Sequence, residues 1–422
     1  MRFLFRNTCC LFLSFFLFKQ APAQRALVDS LVRLLKRDVA DSSRAQHFSQ
    51  LCAEYGKIGL YDSALICGKT GEELFAKLGN LKGMAGCINN AGLVFEKRGD
   101  YAEALDHFQR SLAIKEKLGD KRGIGSSYNN LGMIYSNFGD YTRALGYYFK
   151  AVGIDEEIKE YNGVASCYMN IGKIYSLQDD NARALEYFRK ALSLKEKSGD
   201  KIGIASALNN IANYYGKTGD NKTALDYLLK SLALRTEVGE KPGIAAVLNN
   251  IGNVYMALDD YNKALDYYKR ALELKRALGD KPGAVSTLDN IGEVYILTHN
   301  YARALDYARQ ALENAEQLRS QDKRKEALQL MAEAYEGMNN YGQAYACLKK
   351  VGELKDSLLS DEKSREQDRL VARFEYQKKT AADSIKNLVE QNVKDMTIAA
   401  KDAQLQQEET RRYALIGGLV LI

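Results

Sequence analysis

The side chains best suited to chemistry in this sequence are carboxamides at a fixed interval. Asn90, Asn130, Asn170, Asn210, Asn250 and Asn290 recur every 40 residues, and Asn129, Asn209, Asn249, Asn213 and Asn253 accompany them. A carboxamide carries a donor and an acceptor together, the same pair that a peptide unit offers. A row of them can grip an extended backbone without demanding a particular side-chain sequence. The same groups can instead bond a neighbouring helix, and spacing alone leaves both roles open.

Other chemistries find little to work with. His47, His107 and His299 fall in different segments, and neither an HExxH motif nor any CxxC pair occurs. A metal site needs convergent ligands, so no metal and no cofactor are expected, and the chain is read as a non-enzyme. The acid pairs Glu156-Glu157 and Asp179-Asp180 read as solvated faces or helix caps. Outside the leader described below, the cysteines are Cys52, Cys67, Cys87, Cys167 and Cys347, an odd number at irregular spacing. They read as small buried thiols, with Cys52–Cys67 the one bridge to weigh. The formal charge is +6 with acids and bases interspersed. A nucleic-acid binder would cluster its basic residues, so no nucleic-acid partner is expected.

The elements that position the carboxamides follow from self-similarity. LNNIANYYGKTGDNKTALDYLLKSLAL (208–234) aligns with LNNIGNVYMALDDYNKALDYYKRALEL (248–274), and the 40-residue offset continues without gaps. Eight units fit 45–360, starting near 45, 85, 125, 165, 205, 245, 285 and 325. Tyr128, Leu131, Gly132 and Tyr135 form one helical stripe, and Ala144, Leu145, Tyr148, Ala151 and Val152 form a second. Between them Gly139-Asp140 supplies a left-handed helix end and then an N-cap. The turn recurs as Gly99-Asp100 and Gly219-Asp220, with variants Asp179-Asp180, Asp259-Asp260, His299-Asn300 and Asn339-Asn340. A second turn, GDKRG (119–123) and its copies, joins the units, with Pro242 and Pro282 tolerated at helix starts.

The fold expected is therefore all-α. Alanine occupies residues 64, 104, 144, 184, 224, 264, 304 and 344, and Cys52, Gly92, Gly132, Gly172, Ala212, Gly252, Gly292 and Ala332 mark a second small position. Glycine inside a helix costs up to ~1 kcal/mol against alanine, so its repetition implies close backbone approach. Tyr135 and its equivalents are expected to fill the space beside it. Ser126, Asn129, Asn130 and Met133 fall opposite the stripe, on a face that their own hairpin leaves uncovered.

The pattern Tyr128, Leu131, Gly132, Tyr135, Ala144, Tyr148, Ala151 resembles the tetratricopeptide repeat. It departs from that family in unit length, 40 residues in place of the common 34, and is similar to the longer repeats of animal polarity scaffolds. The resemblance implies a right-handed superhelical solenoid of about eight hairpins, with residues 24–44 as an N-terminal cap. It also implies a concave groove lined by the first helices, where a protein or peptide would bind.

The flanks suggest a cellular setting. Arg2, Arg6, the apolar run CLFLSFFLF (10–18) and Ala21-Pro22-Ala23 read as a signal peptide over 1–23. Its removal leaves a charge near +3. Cys9 and Cys10 lie inside the apolar run and do not read as lipid-anchor sites. Residues 361–412 lack Gly and Pro and read as one charged helix. Its thin seam of Phe374, Ala381, Ile385, Leu388, Met396, Ala399 and Ala403, interrupted by Lys378 and Asn392, permits a coiled-coil homodimer. Arg411, Arg412 and the apolar 413–422 read as the start of a transmembrane helix. This organisation resembles the extracytoplasmic half of Bacteroidetes membrane signalling proteins. The implied role is a periplasmic sensor tethered to the inner membrane. The alternative is a membrane-tethered scaffold or assembly factor without an output domain.

Overall fold

A left-handed backbone residue closes a helix every twenty positions. In the computed structural model, which describes residues 22–37 and 41–419, glycines 59, 79, 99, 119, 139, 199, 219, 239 and 279 have positive φ. Lys159, Asp179, Asp259, His299, Arg319 and Asn339 continue the series. The following residue caps the next helix in most turns, as Asp120 does by accepting from the Gly123 N–H at 3.0 Å and Asp140 from the Arg143 N–H at 3.2 Å. Lys159 and Arg319 take a conformation that costs such residues ~1–2 kcal/mol. Neither was foreseen, because the motif GD is absent there.

Seventeen helices result among the described residues, with no strand. They are α1 (Pro22–Arg37), α2 (Asp41–Lys57), α3 (Tyr61–Lys77), α4 (Leu81–Arg98), α5 (Tyr101–Leu118), α6 (Lys121–Asn137), α7 (Tyr141–Glu157), α8 (Tyr161–Leu177), α9 (Asn181–Ser198), α10 (Lys201–Lys217), α11 (Asn221–Glu237), α12 (Lys241–Ala257), α13 (Tyr261–Leu278), α14 (Lys281–Leu297), α15 (Tyr301–Gln317), α16 (Gln321–Gly337) and α17 (Tyr341–Leu419). Helices α2 to α17 pair into eight hairpins. Each begins about four residues earlier than the expected starts at 45, 85 and so on, because the capping turn sets the boundary and not the LNN motif. The signal-peptide expectation lies outside the described residues up to position 21. Helix α1 stands in place of the expected 24–44 cap, ending at Arg37.

Hairpin packing depends on a small residue meeting a large one. The alanines at 64, 104, 144, 184, 224, 264 and 304 are at most 1% exposed. A Cβ on Gly132 would lie 2.7 Å from the Tyr148 ring, one on Gly172 2.6 Å from Phe188, and one on Gly252 2.5 Å from Tyr268. The residue filling the glycine notch is thus the ring sixteen positions later, not Tyr135 or its equivalents. Those tyrosines stack instead on a ring twelve positions on. Tyr135–Tyr147 centroids are 5.3 Å apart and Tyr255–Tyr267 centroids 5.5 Å. Where the first helix carries Ala212, the partner shrinks to Leu228. Where the second helix carries only Ala308, Leu330 of the next hairpin fills the Gly292 notch.

Successive hairpins are joined partly by buried cations at one repeat position. Lys115 donates to Ser127 Oγ at 2.8 Å, and Lys275 donates to Thr287 Oγ1 at 2.7 Å. Burial lowers the pKa of both lysines. Asp155 holds the same position with the opposite charge, and burial, then Glu160, push its carboxyl up to about 6. Cys52, Cys67, Cys87, Cys167 and Cys347 are buried and form no disulfide among the described residues.

The chain divides into two units, 1–358 and 359–422. The second is the continuation of α17, where Ile385, Leu388, Val389, Val393 and Met396 are exposed. The expected membrane entry at 413–422 gains no support, since no helix among the described residues is long and apolar enough to cross a membrane. Residues 420–422 lie outside them.

The notch makes a direct prediction. Overpacking costs ~1–3 kcal/mol, which exceeds the helix-propensity gain of up to ~1 kcal/mol from replacing glycine. Gly252→Ala is expected to lower the urea midpoint of the full chain, while Gly146→Ala, where a Cβ meets nothing within 4 Å, raises it slightly. Adding Tyr268→Leu to Gly252→Ala recreates the Ala212–Leu228 pairing, and the double variant loses less than the two singles combined. Strict additivity of the two losses would contradict the notch.

Candidate functional site: the wall of first helices

Successive first helices touch one another at α2–α4, α6–α8 and α14–α16, whereas among the described residues no comparable contact joins successive second helices. The first helices thus form one wall of the array, and hydrogen bonds link them along it. The carboxamides sit on this wall, and the structure gives most of them a partner. Asn130 Nδ2 donates to Asn89 Oδ1 at 3.0 Å, Asn170 to Asn129 at 3.1 Å, and Asn250 to Asn209 at 2.9 Å. Asn90 donates to the Ser49 carbonyl at 3.2 Å, and Asn290 to Asn253 Oδ1 at 3.3 Å. Asn210 reaches only the Met169 sulfur, at 3.8 Å. Asn249 accepts from Thr287 Oγ1 at 2.9 Å.

These bonds link each first helix to its predecessor, 41 residues back for the main ladder. The face opposite the hairpin stripe is thus partly covered by the neighbouring unit, and Asn130 is only 8% exposed. The expectation that this face is open holds for a neighbouring row instead. Asn213 and Asn253 are exposed on that row. Asn253 accepts from the Tyr268 hydroxyl at 2.7 Å, which leaves its amide protons available. Asn213 has no partner among the described residues.

A cleft of about 350 Å³ opens here, lined by Asn213, Lys217, Asn221, Asn250 and Asn253 over an apolar base that includes Leu228 and Val254. Its location follows from packing. Leu228 is smaller than the rings at 148, 188 and 268, so the wall is less filled at this hairpin than elsewhere.

Charges at the same register complete the site, and residue types alone did not single them out. Forty-residue steps through Asn213 and Asn253 lead back to Lys173 and on to Glu293 and Glu333, all exposed. Partial burial, then Glu293 and Glu336, raise the Glu333 pKa. Asp289 stands where Asn89, Asn129, Asn209 and Asn249 stand in other units. Its ladder donor would come from position 330, but Leu330 is committed to the Gly292 notch. Both Asp289 carboxylate oxygens are consequently buried without a hydrogen bond. Burial, then the charge of Glu326, push that carboxyl up to about 7.

The three histidines remain dispersed. His107 Nδ1 lies 2.8 Å from the Glu103 carbonyl, and His299 Nδ1 lies 2.8 Å from the Tyr301 hydroxyl. Among the described residues no group of His, Cys, Asp or Glu is arranged to hold a metal ion.

Near-identical hairpins stacked behind a polar wall define a helical-repeat scaffold. The chain belongs to the tetratricopeptide repeat family: the profile of that repeat matches residues 84–157, 123–197, 163–237, 203–277 and 243–317, together more than half of the chain. No curated protein matches it. Among solved structures, it is similar to the apo form of the quorum sensor NprR from B. thuringiensis, with 13% identity, a TM-score of 0.55, and coverage of 78% of this chain and 93% of that one. It is also similar to a Rap protein complexed with Competence and Sporulation Factor, with 15% identity, a TM-score of 0.50, and coverage of 80% and 99%. A third likeness is to a signal transduction ATPase with a tetratricopeptide repeat sensor from Pyrococcus horikoshii. That match has 18% identity and a TM-score of 0.55, and covers 81% of this chain and 55% of that one.

The ladder and the open row are expected to separate under substitution. Asn250→Ala removes a half-buried hydrogen bond, worth ~0.5–1.5 kcal/mol, and lowers the thermal midpoint. Asn213→Ala leaves it near wild type. Equal midpoints for the two variants would contradict a stitching role for the ladder.

Proposed function

We propose that this chain is a non-catalytic scaffold that binds an extended peptide or protein segment along its wall of first helices, and that it serves as the periplasmic sensor of a membrane-anchored signalling protein. The observation that carries the binding role is the cleft at Asn213, Lys217, Asn250 and Asn253, where polar groups converge beside an apolar base. Ligand sites combine those two features: apolar area supplies affinity, and a few fixed polar groups supply orientation. A free carboxamide such as Asn213 complements a peptide unit in both directions.

The sensing role rests on the family and on the flanks. Two proteins of the same fold are described as a quorum sensor and as a Rap protein in complex with a factor. The N-terminal Arg2, Arg6 and apolar run are the features of an export signal. Arg411, Arg412 and the apolar stretch after them have the composition of a membrane entry. A ligand held along the wall would change the spacing of first helices, and α17, continuous from the last hairpin, would transmit that change. The seam of exposed Ile385, Leu388 and Met396 suits pairing of two copies through 361–412.

One experiment addresses both parts. Phage displaying random dodecapeptides are offered to spheroplasts of cells expressing the full chain. Retention above cells lacking the chain, reduced at least tenfold by Asn213→Ala with Asn253→Ala, is the expected outcome. Retention by lysed cells but not by spheroplasts would overturn the periplasmic assignment. Retention by neither would overturn peptide binding.

A further inference from the structure

The row that runs through the cleft is ordered by charge. Lys173 on α8, Asn213 on α10, Asn253 on α12, Glu293 on α14 and Glu333 on α16 lie at 40-residue steps and are all exposed. Lys217, one turn beyond Asn213 on α10, adds a second cation where it lines the cleft. The wall therefore passes from positive through neutral carboxamide to negative.

Among the described residues each of these charges lacks an ion-pair partner, whereas other charges on the array find one. On the rest of the array, Lys201 pairs with Glu237 at 2.5 Å, Lys230 with Asp226 at 2.7 Å, and Lys190 with Glu186 at 2.6 Å. Lys173, Lys217, Glu293 and Glu333 join no ion pair among the described residues. At the acidic end Glu293 and Glu333 lie on successive first helices, close enough for the Glu293 charge to raise the Glu333 pKa. Nearby, both oxygens of Asp289 are buried and lack any donor. Like charges held together cost stability unless something neutralises them. Folding gains nothing from this arrangement, whereas a cationic ligand group placed there would remove the repulsion.

Resting on the peptide-binding reading above, we infer that the occupant is an extended peptide with segregated charge: a cationic end at Glu293 and Glu333, a neutral middle over Asn213 and Asn253, and an anionic end at Lys173 and Lys217. Packed helices lie 8–10 Å apart, so four steps along the row span roughly 32–40 Å. An extended chain advances ~3.3 Å per residue, so about 10–12 residues reach from one charged end to the other. The charge order fixes which way the peptide lies, a choice that symmetric carboxamides cannot make. Complementary fields of this kind give orientation and discrimination more than raw affinity.

The test uses fluorescein-labelled dodecapeptides and the full chain, read by anisotropy. Two probes carry three lysines at one end and three glutamates at the other, in the two possible orders, around a Ser/Ala centre. A third has the same composition with its charges alternated. One ordered probe is expected to bind at least tenfold more tightly than the alternated one, and E293K/E333K removes that advantage. The fourfold variant K173E/K217E/E293K/E333K restores tight binding and reverses the preference between the two orders. The substituted side chains are exposed, and far-ultraviolet circular dichroism checks that each variant folds. E293Q/E333Q, which keeps side-chain size, gives a partial loss if the reversal proves unstable. Equal binding of ordered and alternated probes, or no response to E293K/E333K, overturns the charge order. If random peptides are still retained in that case, the binding role stands and only its charge specificity falls.

Discussion

Everything in this array depends on a contact between a residue too small to have a side chain and a ring. Glycine on a first helix admits the face of Phe108, Tyr148, Phe188 or Tyr268 from the second helix of the same hairpin. The invariant alanine on the second helix lets the two backbones close from the other side. Close packing is unforgiving of an added methyl group, so each hairpin is held to nearly one geometry. Repeating that geometry every 40 residues produces a stack. Its neighbours are then joined by the asparagine ladder and by buried cations such as Lys275, while stacked tyrosine pairs under Arg143, Arg183 or Lys263 brace the two helices within a hairpin.

The exceptions to this contact locate the functional features. Replacing the Gly–ring pair with Ala212–Leu228 leaves space, and the cleft opens there. Shrinking the ring to Ala308 recruits Leu330 into the Gly292 notch, which removes the only ladder donor available to Asp289. One packing substitution thus yields a pocket in the middle of the wall. A second yields an unsatisfied carboxylate toward its acidic end. Local departures from an otherwise consistent pattern are where function is expected to sit.

Much of this was legible in the sequence. The 40-residue period, the eight hairpins, the capped turns and the small-residue positions all follow from residue types at fixed spacing. The identity of the ring opposite each glycine did not, because Tyr135 and Tyr148 are equally bulky and equally periodic, and only the helix crossing decides between them. The asparagines were found, but their role was not. Helical geometry places Asn130 away from its own hairpin, yet whether the next unit covers that face depends on how tightly the first helices pack. The row of Lys173, Glu293 and Glu333 escaped notice because its members differ in type. Register, more than residue identity, was the signal that could have revealed it.

The central claim is that a glycine notch filled by a ring of its own hairpin holds that hairpin and, through it, only the adjoining ones. Residue-resolved hydrogen exchange of the full chain with Gly172→Val measures this directly, since a larger side chain in the notch must displace Phe188. In a stack coupled only between neighbours, protection is predicted to fall in α8 and α9, less in α7 and α10, and not at all in α2–α4 or α14–α16. Unchanged protection in α8 and α9, or an even loss along the whole array, would contradict it.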